Sequence, residues 1–248
     1  MKIRIVAPVL HSKELVEKAR AEYEAAAGAG VDISVVCLAN GTRSIESELD
    51  VALAQPETIR LVREAAADGI QACIIACFSD PGGPAAKECV DIPVVGEGEA
   101  ALHFANLLGY RYAIITTREI CVARVRNVAR RAGLGERLAS VRAAGFGVLD
   151  LGPDCVPRVA AQAVRAIRED GAHVIVLGCT GTALDMAEQV GREVAREVGA
   201  YVPVIDPVKA AIRLAEALVE TRMRPSKLAY PTPPVPRPEY RFTPAATS

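Results

Sequence analysis

Two cysteines close short apolar runs in matching settings. Cys77 ends Ala72-Cys73-Ile74-Ile75-Ala76-Cys77 and opens Cys77-Phe78-Ser79-Asp80-Pro81-Gly82-Gly83. Cys179 ends His173-Val174-Ile175-Val176-Leu177-Gly178-Cys179 and runs on into Thr180-Gly181. The thiolate is the reactive form of cysteine, and backbone N–H groups at a strand-to-helix junction favour it. If the two settings face each other, their sulfurs approach one ligand from opposite sides. A lone cysteine is commonly a small buried hydrophobe, so the weight rests on the pair. The other cysteines lack such support: Cys37 and Cys73 lie within strand-like runs, and Cys89, Cys121 and Cys155 in helical or loop segments.

The elements that must carry the pair repeat. Ile92-Pro93-Val94-Val95-Gly96-Glu97-Gly98 and Val202-Pro203-Val204-Ile205-Asp206-Pro207-Val208 each read as an x-Pro-Val strand, a turn and a helix start. Lys2-Ile3-Arg4-Ile5-Val6-Ala7 likewise matches Arg111-Tyr112-Ala113-Ile114-Ile115-Thr116. Short β-branched runs (3–6, 33–36, 74–75, 92–95, 113–115, 174–177, 202–205) alternate with Ala/Glu/Arg-rich stretches of helical spacing (12–27, 56–68, 121–132, 157–169, 184–198). Such alternation predicts an α/β fold with parallel sheets flanked by helices. The repeat predicts two similar Rossmann-like lobes related by a pseudo-two-fold, with the site in the cleft between them. Ligands of open α/β sheets bind beyond the carboxyl ends of the strands. The first lobe is placed at 1–97 and the second at 98–206, with the helix near 207–220 packing back on the first. The proline-rich stretch 225–248 is an extended arm or a tail, since it cannot continue a helix or an inner strand.

Bulk properties narrow the function. At 248 residues, with 51% apolar and 24% charged side chains, the chain can bury a core. A formal net charge of -1 gives no electrostatic reason for a nucleic-acid or membrane partner. No signal peptide or membrane-length run is legible, so a cytoplasmic protein is expected. Seven cysteines, an odd number, argue against a complete disulfide framework. Neither they nor the three scattered histidines show metal-site spacing. No dinucleotide fingerprint or phosphate loop follows any strand. The expectation is a small-molecule substrate, no cofactor, no metal and a homo-oligomer.

These segments resemble the aspartate/glutamate/hydantoin racemase superfamily, most nearly its hydantoin racemase branch. The resemblance is carried by Ser44-Ile45-Glu46-Ser47 with Ala52-Leu53-Ala54, by Cys77-Phe78-Ser79-Asp80-Pro81-Gly82, and by Gly96-Glu97-Gly98-Glu99-Ala100. Ile114-Ile115-Thr116-Thr117 and Leu177-Gly178-Cys179-Thr180-Gly181 complete it. It runs from residue 1 to about 220. It implies an isomerase that inverts a chiral carbon of an amino-acid derivative without a cofactor. Cys77 and Cys179 would exchange roles as base and acid. It implies that Ser79, Thr180 and Gly181 backbone donors, with the Thr116 and Thr117 hydroxyls, stabilise the planar intermediate. Gly178 would support the site, and Asp80 reads either as polar support for it or as a turn residue before Pro81-Gly82.

The resemblance departs at Ala7-Pro8-Val9-Leu10, where the branch's Asn-Pro-Asn-Thr segment keeps only its proline. Pro8 and Val9 would then form an apolar recognition wall. Arg118 is a second departure, able to pair a substrate carboxylate or to sit as a solvated charge. Gly181 stands where glutamate racemases carry histidine, which argues against glutamate as substrate. A cis-trans isomerase or decarboxylase of the same superfamily, and a non-catalytic small-molecule binding protein, remain open readings.

Overall fold

The structure, a computed structural model, describes residues 1–179 and 186–234. The first half runs β1 (Lys2–Leu10), α1 (Lys13–Ala26), β2 (Asp32–Leu38), α2 (Glu48–Ala67), β3 (Ala72–Ile75), α3 (Gly83–Cys89), β4 (Val94–Gly96) and α4 (Glu97–Leu108). The second runs β5 (Tyr112–Thr116), α5 (Val122–Arg131), β6 (Leu138–Ala143), α6 (Val156–Asp170), β7 (Val174–Leu177), α7 (Met186–Val198), β8 (Val204–Ile205) and α8 (Pro207–Glu220). They form two parallel four-stranded sheets, ordered β2-β1-β3-β4 and β6-β5-β7-β8. The α/β fold with two similar lobes is as the alternation predicts. Helices cover both faces of a parallel sheet, which is why β3 and β7 are apolar throughout and fully buried.

The sequence repeat reappears in the backbone hydrogen bonds. Ile3 pairs with Ala72 in one sheet, and Tyr112 with Val174 in the other. The Cys73 N–H donates to the Pro93 carbonyl at 2.9 Å, and the Ile175 N–H to that of Pro203 at 2.9 Å. Just beyond the strands, Ala76 donates to Val6 at 2.9 Å and Gly178 to Ile115 at 2.8 Å. By this register Cys77 and Cys179 are equivalent residues. Each lies the same distance past its central strand.

The last helix of each half packs on the other half. α4 lies against β7, β8 and α5, while α8 lies against α1, β3 and β4, and the two helices pack on each other. One apolar cluster therefore joins Ile3, Ile74 and Leu102 to Ile114, Val176 and Ile212.

Three local features differ from the spacing. The helix expected from Pro56 begins at Glu48, where Ser47 and Asp50 form a capping box. Pro56 is tolerated inside it because its missing N–H deprives only the Ala52 carbonyl, on an exposed residue that water can reach. β6 was not legible: its Ser140 and Arg142 interrupt any β-branched run, and it is an edge strand held by β5 alone. The start of the proline-rich segment is docked on the body. Lys227 Nζ donates to the Glu88 and Val90 carbonyls at 3.0 and 2.9 Å, closing the end of α3, and Tyr230 packs under Lys87. Among the described residues no helix is long and apolar enough to cross a membrane.

Candidate active site

The candidate residues gather at the carboxyl ends of the four inner strands. Pro8 and Val9 end β1. Pro8 has no N–H to give the ladder, and the register with β2 shifts between Ala7 and Leu10. Pro8 is buried, and Val9 packs on the same apolar cluster as Cys77. Thr116 and Thr117 end β5, and both are buried. Their carbonyls accept from the Ala144 and Gly145 amides at 2.8 and 2.7 Å, and the Thr117 hydroxyl lies 3.8 Å from the Cys121 sulfur. The register makes Thr116 and Thr117 the counterparts of Ala7 and Pro8. One half thus offers hydroxyls where the other offers an apolar wall.

Gly178 and Cys179 follow β7. A Cβ on Gly178 would stand 2.7 Å from Ile114 Cγ2 and 3.1 Å from the Ile115 carbonyl oxygen, so the chain needs glycine to pass there. Cys179 is half-buried. Thr180 and Gly181 lie outside the described residues.

Cys77 is also half-buried. Burial pushes its thiol up to about 11. The Ser79 backbone N–H and the Arg124 guanidinium pull the other way, and the Glu97 and Asp80 carboxylates add to the rise. Its loop is tightly built. Asp80 has φ 49, a left-handed conformation that aspartate tolerates, and Gly82 has φ 77.

Asp80 carries a structural duty. Its carboxylate accepts from the Gly98 and Glu99 amides at 3.0 and 2.8 Å. It thereby caps α4, whose own N-cap position is Gly96, with no side chain to do so. The counterpart of Gly96 is Asp206, which caps α8 itself through the Val208 amide at 2.9 Å. One half caps locally, and the other borrows the cap from the cysteine loop. Burial raises the Asp80 carboxyl to about 7, against the pull of those two amides.

Ser79 is buried and clasped from the other lobe. Arg124 donates to its hydroxyl, and Arg131 donates to its carbonyl at 2.9 Å. Arg118 is about half exposed and pairs with Glu46 at 3.2 Å, so its guanidinium already has a carboxylate partner within the protein. Glu46 also accepts from the Val148 amide at 2.7 Å, and its carbonyl accepts from the Cys121 thiol at 3.4 Å. These contacts bring the carboxyl-end loops of the two sheets together. Arg124 and Arg131 were not found from sequence, although Arg124 gave a signal. It shares the α5 stripe of Cys121, Val125 and Val128, where a charge is out of place.

The described cysteines lie outside any disulfide. No group of three His, Cys, Asp or Glu side chains among the described residues is placed to hold a metal. A separate cavity of about 590 Å³ is lined by α7, β8 and α8 with Phe104 and Tyr201, and contains none of the candidate residues.

A two-lobed α/β protein with equivalent cysteines beyond its inner strands defines the class. The chain matches the Asp/Glu/Hydantoin racemase family over residues 10–215 and belongs to it. It is 35% identical over 231 residues to a hydantoin racemase of Paenarthrobacter aurescens, covering 92% of this chain and 94% of that one. It is 32% identical over 233 residues to a hydantoin racemase of Pseudomonas sp. (strain NS671), covering 92% and 90%. An allantoin racemase structure from Pseudomonas fluorescens superposes with a TM-score of 0.86 at 33% identity, over 98% of this chain and 100% of that one.

Proposed function

We propose that the protein is a cofactor-independent racemase acting on a hydantoin-type ring, with Cys77 and Cys179 as opposed bases. The observation that carries this reading is their equivalence in register beyond β3 and β7. The names of the similar proteins, hydantoin and allantoin racemase, support the ring as substrate class.

One thiolate takes the proton from the carbon next to the ring carbonyl. The electron pair of the broken C–H bond moves into that carbonyl, leaving an enolate with its charge on oxygen. The opposing thiol then gives its proton to the other face of the carbon. Inverted product leaves, and the protonation states of the two sulfurs are exchanged. With its thiol held near 11, Cys77 rests protonated at neutral pH and starts as the donor.

The amide of Ser79, the hydroxyls of Thr116 and Thr117, and donors from Thr180 and Gly181 are the groups proposed to meet the enolate oxygen. Pro8 and Val9 supply an apolar wall for the ring. Gly178 keeps the backbone slim beside Cys179. Asp80 supports the site through α4, and Arg118 through the lobe contact with Glu46.

The test is exchange in deuterated water. Single enantiomers of 5-substituted hydantoins and of allantoin are incubated with reduced enzyme and read by NMR and chiral chromatography. Inversion accompanied by deuterium at the stereocentre is expected. Cys77→Ser and Cys179→Ser should each lose racemisation by at least about 10³-fold, while one-sided proton exchange survives on one enantiomer. Full racemisation by either variant would remove that cysteine from the mechanism.

A further inference from the structure

Arg124 is a poor choice for stability. It stands in the first turn of α5, the positive end of the helix dipole, where a cation is disfavoured. It is only 8% exposed, and its buried Nε has no hydrogen-bond partner. Burying an incompletely satisfied guanidinium is costly. Yet the side chain crosses from the second half to the first, donating to the Ser79 hydroxyl and, at 3.4 Å, to the Ile45 carbonyl. Arg131, on the same helix, fixes the Ser79 carbonyl at 2.9 Å. Ser79 is therefore gripped at its side chain and its carbonyl by two arginines of the opposite half. Its remaining polar group, the backbone N–H, stands two residues from Cys77 and favours the thiolate there, against the burial that raises the thiol.

We infer that Arg124 is a positioning residue for Cys77: it holds the Ser79 amide against the sulfur and sets a fixed positive charge beside it. The charged groups facing Cys77 are then Arg124 from α5, Glu97 from the start of α4 and Asp80 from its own loop, with Arg131 behind Ser79. The two carboxylates oppose a thiolate, and Arg124 offsets them. Because Arg124 belongs to the second half, Cys77 becomes a competent base only where the halves meet. This inference rests on the reading of Cys77 as a base, but its test does not depend on turnover.

The experiment measures alkylation of Cys77 in the full-length protein by neutral iodoacetamide between pH 7 and 9, read on the Cys77 peptide by mass spectrometry. In this range the rate follows the thiolate fraction. A neighbouring cation commonly lowers an acid by one to three pH units. Arg124→Gln should therefore slow alkylation by about tenfold or more. Arg124→Lys keeps the charge but not the fork that also reaches the Ile45 carbonyl, and should slow alkylation less than Arg124→Gln does. Ser79→Ala loosens the grip and should fall between them.

A merely structural arginine gives the opposite sign, because loosening the lobe contact exposes Cys77 and speeds its reaction. A rate in Arg124→Gln equal to or above wild type overturns the inference. Should that variant fail to fold, Ser79→Ala decides, and a wild-type rate there overturns it. Racemisation is followed in parallel and should fall by one factor for both enantiomers, since the equilibrium constant is one. A slowed Cys77 in a protein that inverts no hydantoin would sink the racemase reading and leave the role of Arg124 standing.

Discussion

Replacing Gly98 by alanine sets two physical effects against each other. Gly98 lies in the first turn of α4, and alanine is the better helix former by about 1 kcal/mol. Propensity alone therefore expects a more stable protein. The contacts say otherwise. A Cβ at 98 would collide with the Phe78 carbonyl oxygen and stand 3.0 Å from its carbon and 3.1 Å from an Asp80 carboxylate oxygen. The Phe78 oxygen would have to retreat by roughly 1 Å to reach even a close C–H···O contact of ~3.3 Å. It is backbone, so no rotamer relieves the clash. Overpacking of this kind costs about 1–3 kcal/mol, and partial loss of the Asp80 cap adds about 1 kcal/mol. Net destabilisation of about 2 kcal/mol is expected.

Phe78 adjoins Cys77, so the displaced loop carries the sulfur with it, and a misplacement of about 1 Å can cost ~10²-fold in rate. Gly191→Ala is the control. It too is a helical glycine, but its Cβ would meet Val204 Cγ2 at an ordinary 3.8 Å. There propensity should prevail, with a gain of up to about 1 kcal/mol. Urea unfolding gives the stabilities and deuterium exchange gives the activity. A Gly98→Ala protein as stable and as active as wild type would show that the 77–80 loop is not locked to α4.

Two further outcomes follow from the same loop and its surroundings. The Asp80 carboxyl titrates near 7 when folded and near 3.8 when unfolded. Between those values the folded state holds the extra proton, so this group's contribution to stability falls as pH rises and levels off above about 7. The stability difference between wild type and Asp80→Asn should therefore drop by about 1 kcal/mol per pH unit from pH 5 to 7 in urea titrations. A difference that does not change with pH refutes the assignment. Lys227→Met should cost about 1 kcal/mol and loosen the residues around α3, because the Glu88 and Val90 carbonyls lose their donor. Unchanged amide exchange at 83–90 would show that the docked segment contributes nothing.

The two-lobed fold and the family were legible in the chain itself. A strand buried on both faces must be a short apolar run, and a duplicated unit must repeat its turns, so β3 with Cys77 and β7 with Cys179 announced themselves. The equivalence of the x-Pro-Val strands was legible for the same reason, since the proline carbonyls of 93 and 203 make the same hydrogen bond in each sheet. β6 escaped because an edge strand held on one side tolerates Ser140 and Arg142.

What only the tertiary structure decided is where each polar side chain spends its hydrogen bonds. Asp80 sits three residues after a cysteine and reads equally as polar support for the site or as a turn residue, and only the fold shows its carboxylate at the start of α4. Arg118 reads as a carboxylate clamp or a solvated charge, and only the fold shows it paired with Glu46. Arg124 stands out only as a charge on the apolar stripe of α5, and the fold shows it buried against Ser79 across the lobe contact. The physical reason is common to all three. Apolar periodicity is a property of neighbours along the chain, whereas the partner of a charged group is set by loops that meet only after both sheets have formed and packed.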